Sequence, residues 1–197
     1  MDLSGKTIGF GLTGSHCTFA EVIPQIKRLV EKGANVIPII SDSVKYTDTR
    51  FGKTADWQKQ LKDITRNEII ASIVDAEPIG PKGLLDLMVI APATGNTISK
   101  LANAITDTTV LMATKAQLRN QKPVVVAVST NDGLGLNGQN IGKLLATKNI
   151  FLVPFGQDSP NKKPNSLVAR MELLDQTCEL ALEYKQIQPV IIEKFKY

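Results

Sequence analysis

Apolar runs and apolar stripes alternate along this chain. At 8–12, 36–40, 87–91, 123–128 and 150–153 nearly every residue is apolar, and many are β-branched. Such runs read as strands buried on both faces. Between them the apolar positions fall three or four apart. Phe19, Val22, Ile23, Ile26, Leu29 and Val30 form the first stripe, and Gly33 stands where a left-handed residue ends such a helix. Helical spacing recurs at 57–61, 66–73, 96–104, 108–119, 138–148 and 167–184. The last of these carries Leu167, Met171, Leu174, Cys178, Ala181 and Leu182 on one face.

The order strand, helix, strand over 8–40 is a βαβ unit, which requires parallel strands. Repeated along the chain, it predicts an α/β fold: a doubly wound, mostly parallel sheet flanked by helices. No linker interrupts it, so 1–197 reads as one Rossmann-like domain with a C-terminal helix and tail at 167–197. Ligands of such sheets sit beyond the carboxyl ends of the strands. The loops to inspect are therefore 12–18, 41–52, 91–97, 128–138 and 154–166.

Composition narrows the function classes. A chain of 197 residues with 43% hydrophobic content can bury a core without disulfide staples. Cys17 and Cys178 have no CxxC spacing, which speaks against a zinc ribbon or a thioredoxin motif and fits a reducing compartment. No metal site is expected. The net charge of +4 is spread along the chain, and 5% aromatics are too few for a stacking nucleic-acid surface. No apolar run approaches the about 18–20 residues of a membrane span. The N-terminus has no signal core, so the expected compartment is the cytoplasm.

The first loop carries the clearest chemistry. Gly9-Phe10-Gly11-Leu12-Thr13-Gly14 matches the GxGxxG dinucleotide fingerprint. Yet Gly9 and Gly11 fall inside the strand, and Ser41 closes the second strand where that fingerprint wants a carboxylate. The turn proper is Thr13-Gly14-Ser15-His16. Gly14 lets backbone approach a phosphate, Ser15 offers a hydroxyl and an N–H, and a helix starting near Cys17 aims its positive end there. Ser41 and Ser43 can add donors. His16, the only histidine, stands beside this site as a ligand or a catalytic group. The plainer alternative is a tight turn with Ser15 as N-cap.

Two later loops add polar groups. Pro92 lacks an N–H and is expected to end the third strand. Thr94, Asn96 and Thr97 follow, with Asn96 as helix cap and ligand contact. Ser129, Thr130, Asn131 and Asp132 directly follow the fourth strand, where an Asx turn is the alternative to a binding role. Lys100, Lys162, Lys163 and Arg170 lie in or beside the loops, and Arg170 falls at i+4 from Ser166 if both are helical.

Gly11-Leu12-Thr13-Gly14-Ser15, together with Ala91-Pro92-Ala93-Thr94-Gly95-Asn96-Thr97 and its continuation to Asp107, resembles a flavoprotein family. That family includes phosphopantothenoylcysteine decarboxylase, lantibiotic cysteine decarboxylases and flavin prenyltransferases. The resemblance covers about 6–155. It implies FMN as cofactor, its phosphate on the first loop and its ring near the 91–97 turn or at an interface between protomers. The implied cofactor contacts are Gly14, Ser15, His16, Ser41, Ser43, Thr94, Asn96, Thr97 and Ser129. It also implies a homo-oligomer, for which the tail Pro189-Val190-Ile191-Ile192 is a candidate interface.

Departures from the decarboxylases are specific. The stretch 77–83 ahead of the third strand has no histidine, and 128–135 keeps only Asn131 of their PAMNxxMW residues. Both argue against cysteine decarboxylation. One branch of the family lacks the same residues and is similar along the whole chain, including 129–135 and 163–167. It implies one half of a two-subunit oxidoreductase that aromatises a dihydropyridine-type precursor to pyridine-2,6-dicarboxylate during sporulation. The other half resembles NADP-dependent dehydrogenases and carries NADP. On that reading Asn131, Asp132 and His16 are the catalytic candidates. Asn131, Lys163, Asn165 and Arg170 hold the anionic dicarboxylate, and loop 159–166 is a lid. Two alternatives stay open: an FMN-dependent decarboxylase or prenyltransferase, and a non-catalytic scaffold with a vestigial flavin pocket.

Overall fold

The fold was analysed in a computed structural model that describes residues 2–193. The chain opens with β1 (Thr7–Leu12), a 3-10 turn at His16–Thr18 and α1 (Phe19–Glu31). Next come β2 (Asn35–Ile40), α2 (Asp42–Tyr46), α3 (Thr54–Thr65), α4 (Ile73–Ala76) and α5 (Ile79–Lys82). The middle holds β3 (Leu87–Ala93), α6 (Gly95–Ala102), α7 (Thr109–Arg119), β4 (Val124–Thr130) and α8 (Asn137–Leu145). The last part holds β5 (Ile150–Leu152), β6 (Phe155–Gly156), β7 (Leu167–Ala169) and α9 (Leu174–Leu182).

Among the described residues the strands form one seven-stranded sheet in the order β2-β1-β3-β4-β7-β6, with β5 also paired to β4. The pairs β1–β2, β1–β3, β3–β4 and β4–β5 are parallel. β4 is shared along its length: Val124, Val125 and Val126 pair with β5, while Ser129 and Thr130 pair antiparallel with β7. All seven residues of β3 and of β4 are buried, the burial that a central strand covered by helices on both faces requires. The sheet is thus mixed, mostly parallel and Rossmann-like.

The first helix behaves as its stripe predicts. Phe19, Val22, Ile23, Ile26 and Leu29 are buried, and Gly33 takes φ +89° just past the helix end. α1 and α9 are tied by Lys32, whose Nζ lies 2.8 Å from Asp175 Oδ2 and 2.7 Å from Glu179 Oε1. Those two carboxylates hold the Lys32 pKa above its ordinary value. Gly9 and Gly11 serve packing: a Cβ on Gly9 would stand 2.5 Å from Leu85 Cδ1, and one on Gly11 2.8 Å from Val110 Cγ1 of α7. The strand glycines of the apparent fingerprint therefore let neighbours close on β1 and touch no ligand loop.

Three sequence expectations are corrected. The helix at 66–73 is absent. Arg66 adopts φ +57° and ends α3. Ile70 then runs alongside β2, its N–H donating to Pro38 O at 2.9 Å. The helix at 167–184 begins only at Leu174, because 167–169 are taken by β7 to cover the end of β4. Finally, Pro92 does not end β3. The ladder to β4 shifts register between Ile90 and Ala93 and then resumes, the way a sheet accommodates a residue without an N–H.

Candidate functional site

The carboxyl ends of β1, β3 and β4 converge on one cleft. Thr13, just past β1, fastens the first two ends: its Oγ1 donates to Pro92 O at 2.6 Å and accepts from Thr94 N at 3.1 Å. Ser15 Oγ and Ser129 Oγ lie 2.7 Å apart and join the loop after β1 to the end of β4, which runs through Ser129 and Thr130 where the sequence placed a loop. The cleft so framed has a volume of about 600 Å³ and is lined in part by Gly14, Ser15, Thr94, Thr130, Asn131 and Lys163. It lies at the switch point of the strand order, between β1 and β3, where doubly wound sheets open.

Outside the cleft wall, which His16, Ser41, Ser43 and Thr97 do not line, a group of polar atoms is short of partners. A Cβ on Gly14 would stand 2.7 Å from Ser43 Oγ, so only glycine lets the first loop close on the loop after β2. His16 Nε2 lies 3.4 Å from that Ser43 hydroxyl. His16 Nδ1 and Ser41 Oγ are buried and have no hydrogen-bond partner among the described residues. Burial lowers the His16 pKa and favours the neutral ring, which rests 4.9 Å from the Phe19 ring centroid. Buried polar atoms without partners are costly. Two features differ from expectation. The Ser15 N–H is spent on Thr13 O at 2.8 Å, and Ser15 makes no side-chain cap.

The turn after β3 is organised around Thr94, not Asn96. Thr94 Oγ1 accepts from Thr97 N at 3.3 Å and lies 2.9 Å from Thr97 Oγ1. Asn96 is exposed and lines a second, polar cavity of about 630 Å³ beside α8. Gly95 lies on the wall of both cavities.

Beyond β4 the candidates separate. Asn131 faces the cleft, and its amide has no hydrogen bond among the described residues. Asp132 turns away into the second cavity. There Thr130 Oγ1 donates to Asp132 Oδ1, and Asn137 Nδ2 donates to Asp132 Oδ2 at 2.7 Å. Lys163 reaches the cleft with its Nζ 3.6 Å from Asp158 Oδ2. Asp158 Oδ1 is buried without a partner among the described residues.

The remaining cations do not converge. Arg170 is not on a helix with Ser166; its guanidinium donates to Glu193 O at 2.7 Å, away from the cleft. Asn165 is exposed outside the cleft wall, where its carbonyl accepts from Leu134 N at 3.0 Å. Lys100 is paired with Asp107 at 2.7 Å. Loop 159–166 contributes Lys163 and Ser166 to the wall. Sequence reasoning missed Cys17 and Thr18 of the 3-10 turn, Glu21 of α1, and Asp158 and Val168. The first group follows the phosphate loop directly and carried that weak signal; Asp158 reaches the cleft only through the β6–β7 excursion, which the sequence pattern did not reveal.

A family model described as Flavoprotein matches residues 1–195. The chain is 60% identical over 194 residues to the dipicolinate synthase subunit designated B of Bacillus subtilis (strain 168), covering 98% of this chain and 97% of that one. The crystal structure of the same dipicolinate synthase component from Bacillus halodurans superposes with a TM-score of 0.92 at 62% identity, over 99% of this chain and 100% of that one. Burkholderia xenovorans DmrB in complex with FMN shares the fold at 21% identity and a TM-score of 0.62, over 75% of this chain and 87% of that one.

Proposed function

The chain belongs to the flavoprotein family, and within it we propose that it is the flavoprotein-like component of a dipicolinate synthase. With the synthase's dehydrogenase-like component it oxidises a dihydrodipicolinate-type precursor to pyridine-2,6-dicarboxylate, in the mother-cell cytoplasm of a sporulating bacterium. The observation that carries this reading is the likeness to proteins of that name over 98% of the chain. The cleft supports it: Ser15, Thr94, Ser129, Thr130 and Asn131 line it at the strand ends where small ligands bind.

Aromatising the ring removes a hydride and a proton. No amino-acid side chain accepts a hydride, so a nicotinamide or a flavin must. The first loop would take the phosphate of FMN: His16 Nδ1 and Ser41 Oγ lack partners beside it, and Gly14 lies on the cleft wall. Gly14, His16, Ser41 and Ser43 would hold that phosphate, with Ser15, Thr94 and Ser129 on the wall beyond. Bound there, FMN supplies an electron-pair acceptor; NADP we assign to the dehydrogenase-like component. Asn131 offers its unpaired amide to a substrate carboxylate.

Charge explains why two components are needed. Among the described lining residues the cleft carries one cation, Lys163, and its ammonium already lies 3.6 Å from Asp158 Oδ2. That balance does not neutralise a dicarboxylate, so the dehydrogenase-like component is assigned the missing positive charge. Reconstitution tests the reading. The two components together are expected to form pyridine-2,6-dicarboxylate, and this chain alone is not. Asn131→Ala with assembly intact should abolish most of the turnover; full activity in that variant means a scaffold. A yellow flavin absorbance in the purified chain would assign FMN to the first loop.

A further inference from the structure

Asp132 does not reach the cleft, yet Thr130 does, and the two are hydrogen-bonded. Behind Asp132 runs a chain of side-chain amides. Asn137 Nδ2 donates to Asp132 Oδ2 at 2.7 Å, and Asn140 Nδ2 donates to Asn137 Oδ1 at 2.9 Å. Asn103 Nδ2 donates to Asn140 Oδ1 at 3.3 Å, and Lys143 Nζ donates to Asn103 Oδ1 at 3.0 Å. Every amide donates toward the carboxylate and accepts from the ammonium side. The bonds polarise one another in a single direction, and both Asp132 oxygens are held. Gly95 closes the arrangement. A Cβ there would stand 2.6 Å from Thr130 Oγ1 and 2.8 Å from Asp132 Oδ1 and Asn137 Nδ2. Gly95 lines both cavities, and Thr130 is the member of the hydrogen-bonded cluster that lies on the cleft wall.

We propose that Thr130 relays a proton from the cleft to Asp132, and that the Asn137–Asn140–Asn103–Lys143 chain is a positioning device for that acceptor. The inference rests on the dipicolinate reading above. As the dihydropyridine ring is oxidised, its hydride leaves with the electron pair to an oxidised nicotinamide or flavin. The ring proton passes to Thr130 Oγ1 while the hydroxyl proton of Thr130 passes to Asp132, which becomes a neutral acid. Carboxamides cannot carry the proton further. Asp132, however, also lines the second cavity of about 630 Å³, so water there takes the proton to bulk without crossing the substrate site.

The test uses the reconstituted pair of components and pyridine-2,6-dicarboxylate as calorimetric probe. Thr130→Val should lower kcat about 10²–10³-fold while the affinity for the probe stays within about twofold. Thr130→Ser should recover kcat to within about tenfold of the parent. Apart from turnover, the Thr130 hydroxyl proton should appear as a slowly exchanging downfield NMR resonance that Asp132→Ala removes. The proposal is overturned if Thr130→Val keeps kcat, if Thr130→Ser is as impaired as Thr130→Val, if probe affinity falls in step with kcat, or if the wild-type resonance is missing. A wild-type pair that neither binds the probe nor forms it sinks the dipicolinate reading instead; the resonance still reports on the Thr130–Asp132 pair.

Discussion

Around the first loop, His16 Nδ1 and Ser41 Oγ are buried and unpaired among the described residues; behind β4, the amides from Asn137 to Asn103 are paired end to end. Both clusters sit at the carboxyl edge of the same sheet and both are rich in short polar side chains. The first leaves buried polar atoms without partners, which costs stability. The second is satisfied from within the chain, so it holds a group in place and has little to offer a new ligand. Unmet hydrogen-bonding capacity, more than polarity, separates a place that binds from a place that orients.

The largest effect is expected where the orienting cluster meets the cleft. Gly95→Val drives a branched side chain into Thr130, Asp132 and Asn137. It should lower Tm by about 2–10 °C, the equivalent of about 1–3 kcal/mol of overpacking in a domain of this size, and abolish turnover. Next comes Asn137→Ala, which leaves Asp132 Oδ2 and Asn140 Nδ2 without partners. Urea unfolding should show a loss of about 1–3 kcal/mol.

Ser41→Ala reverses the pattern. No hydrogen bond is lost in the free protein and a buried hydroxyl without a partner is removed, so stability should hold or rise by up to about 1–3 kcal/mol. Affinity for FMN, read by flavin fluorescence quenching, should nevertheless drop about 3–10-fold, the worth of one hydrogen bond. Equal losses of stability in Ser41→Ala and Asn137→Ala would erase the distinction between the two clusters.

The smallest expected effect is a pH dependence. Burial lowers the His16 pKa in the folded chain, so the unfolded chain takes up its proton first as pH falls. The contribution of His16 is therefore complete above its unfolded pKa of about 6.5 and is lost as pH drops below it. Urea midpoints measured from pH 7.5 to 5 should decline in the parent, and His16→Gln should flatten that decline. Because His16 is the only histidine, NMR can follow one imidazole, and inorganic phosphate should move its titration upward if the anion binds beside it.

Much of this could be read from the chain. The runs at 8–12, 87–91 and 123–128 became β1, β3 and β4 because full burial leaves no other pattern, and the α1 stripe held through Leu29. The cleft loops followed, since parallel strands put their carboxyl ends on one edge. Residues 66–72 and 167–170 differ from the helix their spacing predicts for one reason: short apolar segments suit either period. The sheet partner decides, β2 for Ile70 and β4 for Leu167. Arg170 left the site with that misread helix.

What the sequence determined by itself is the architecture, the glycine and hydroxyl chemistry of the first loop, and the polar character of the segment after β4. Those depend on local periodicity and residue type. Which side chain faces which cavity was decided only by the tertiary structure. Asp132 and Thr130 are two residues apart, yet one lines the polar cavity and the other the cleft. The pairing of Asn103 with Asn140, from segments far apart in the chain, exists only because α6 packs against α8. Hydrogen-bond partners are set by packing across the chain, and no local pattern encodes them.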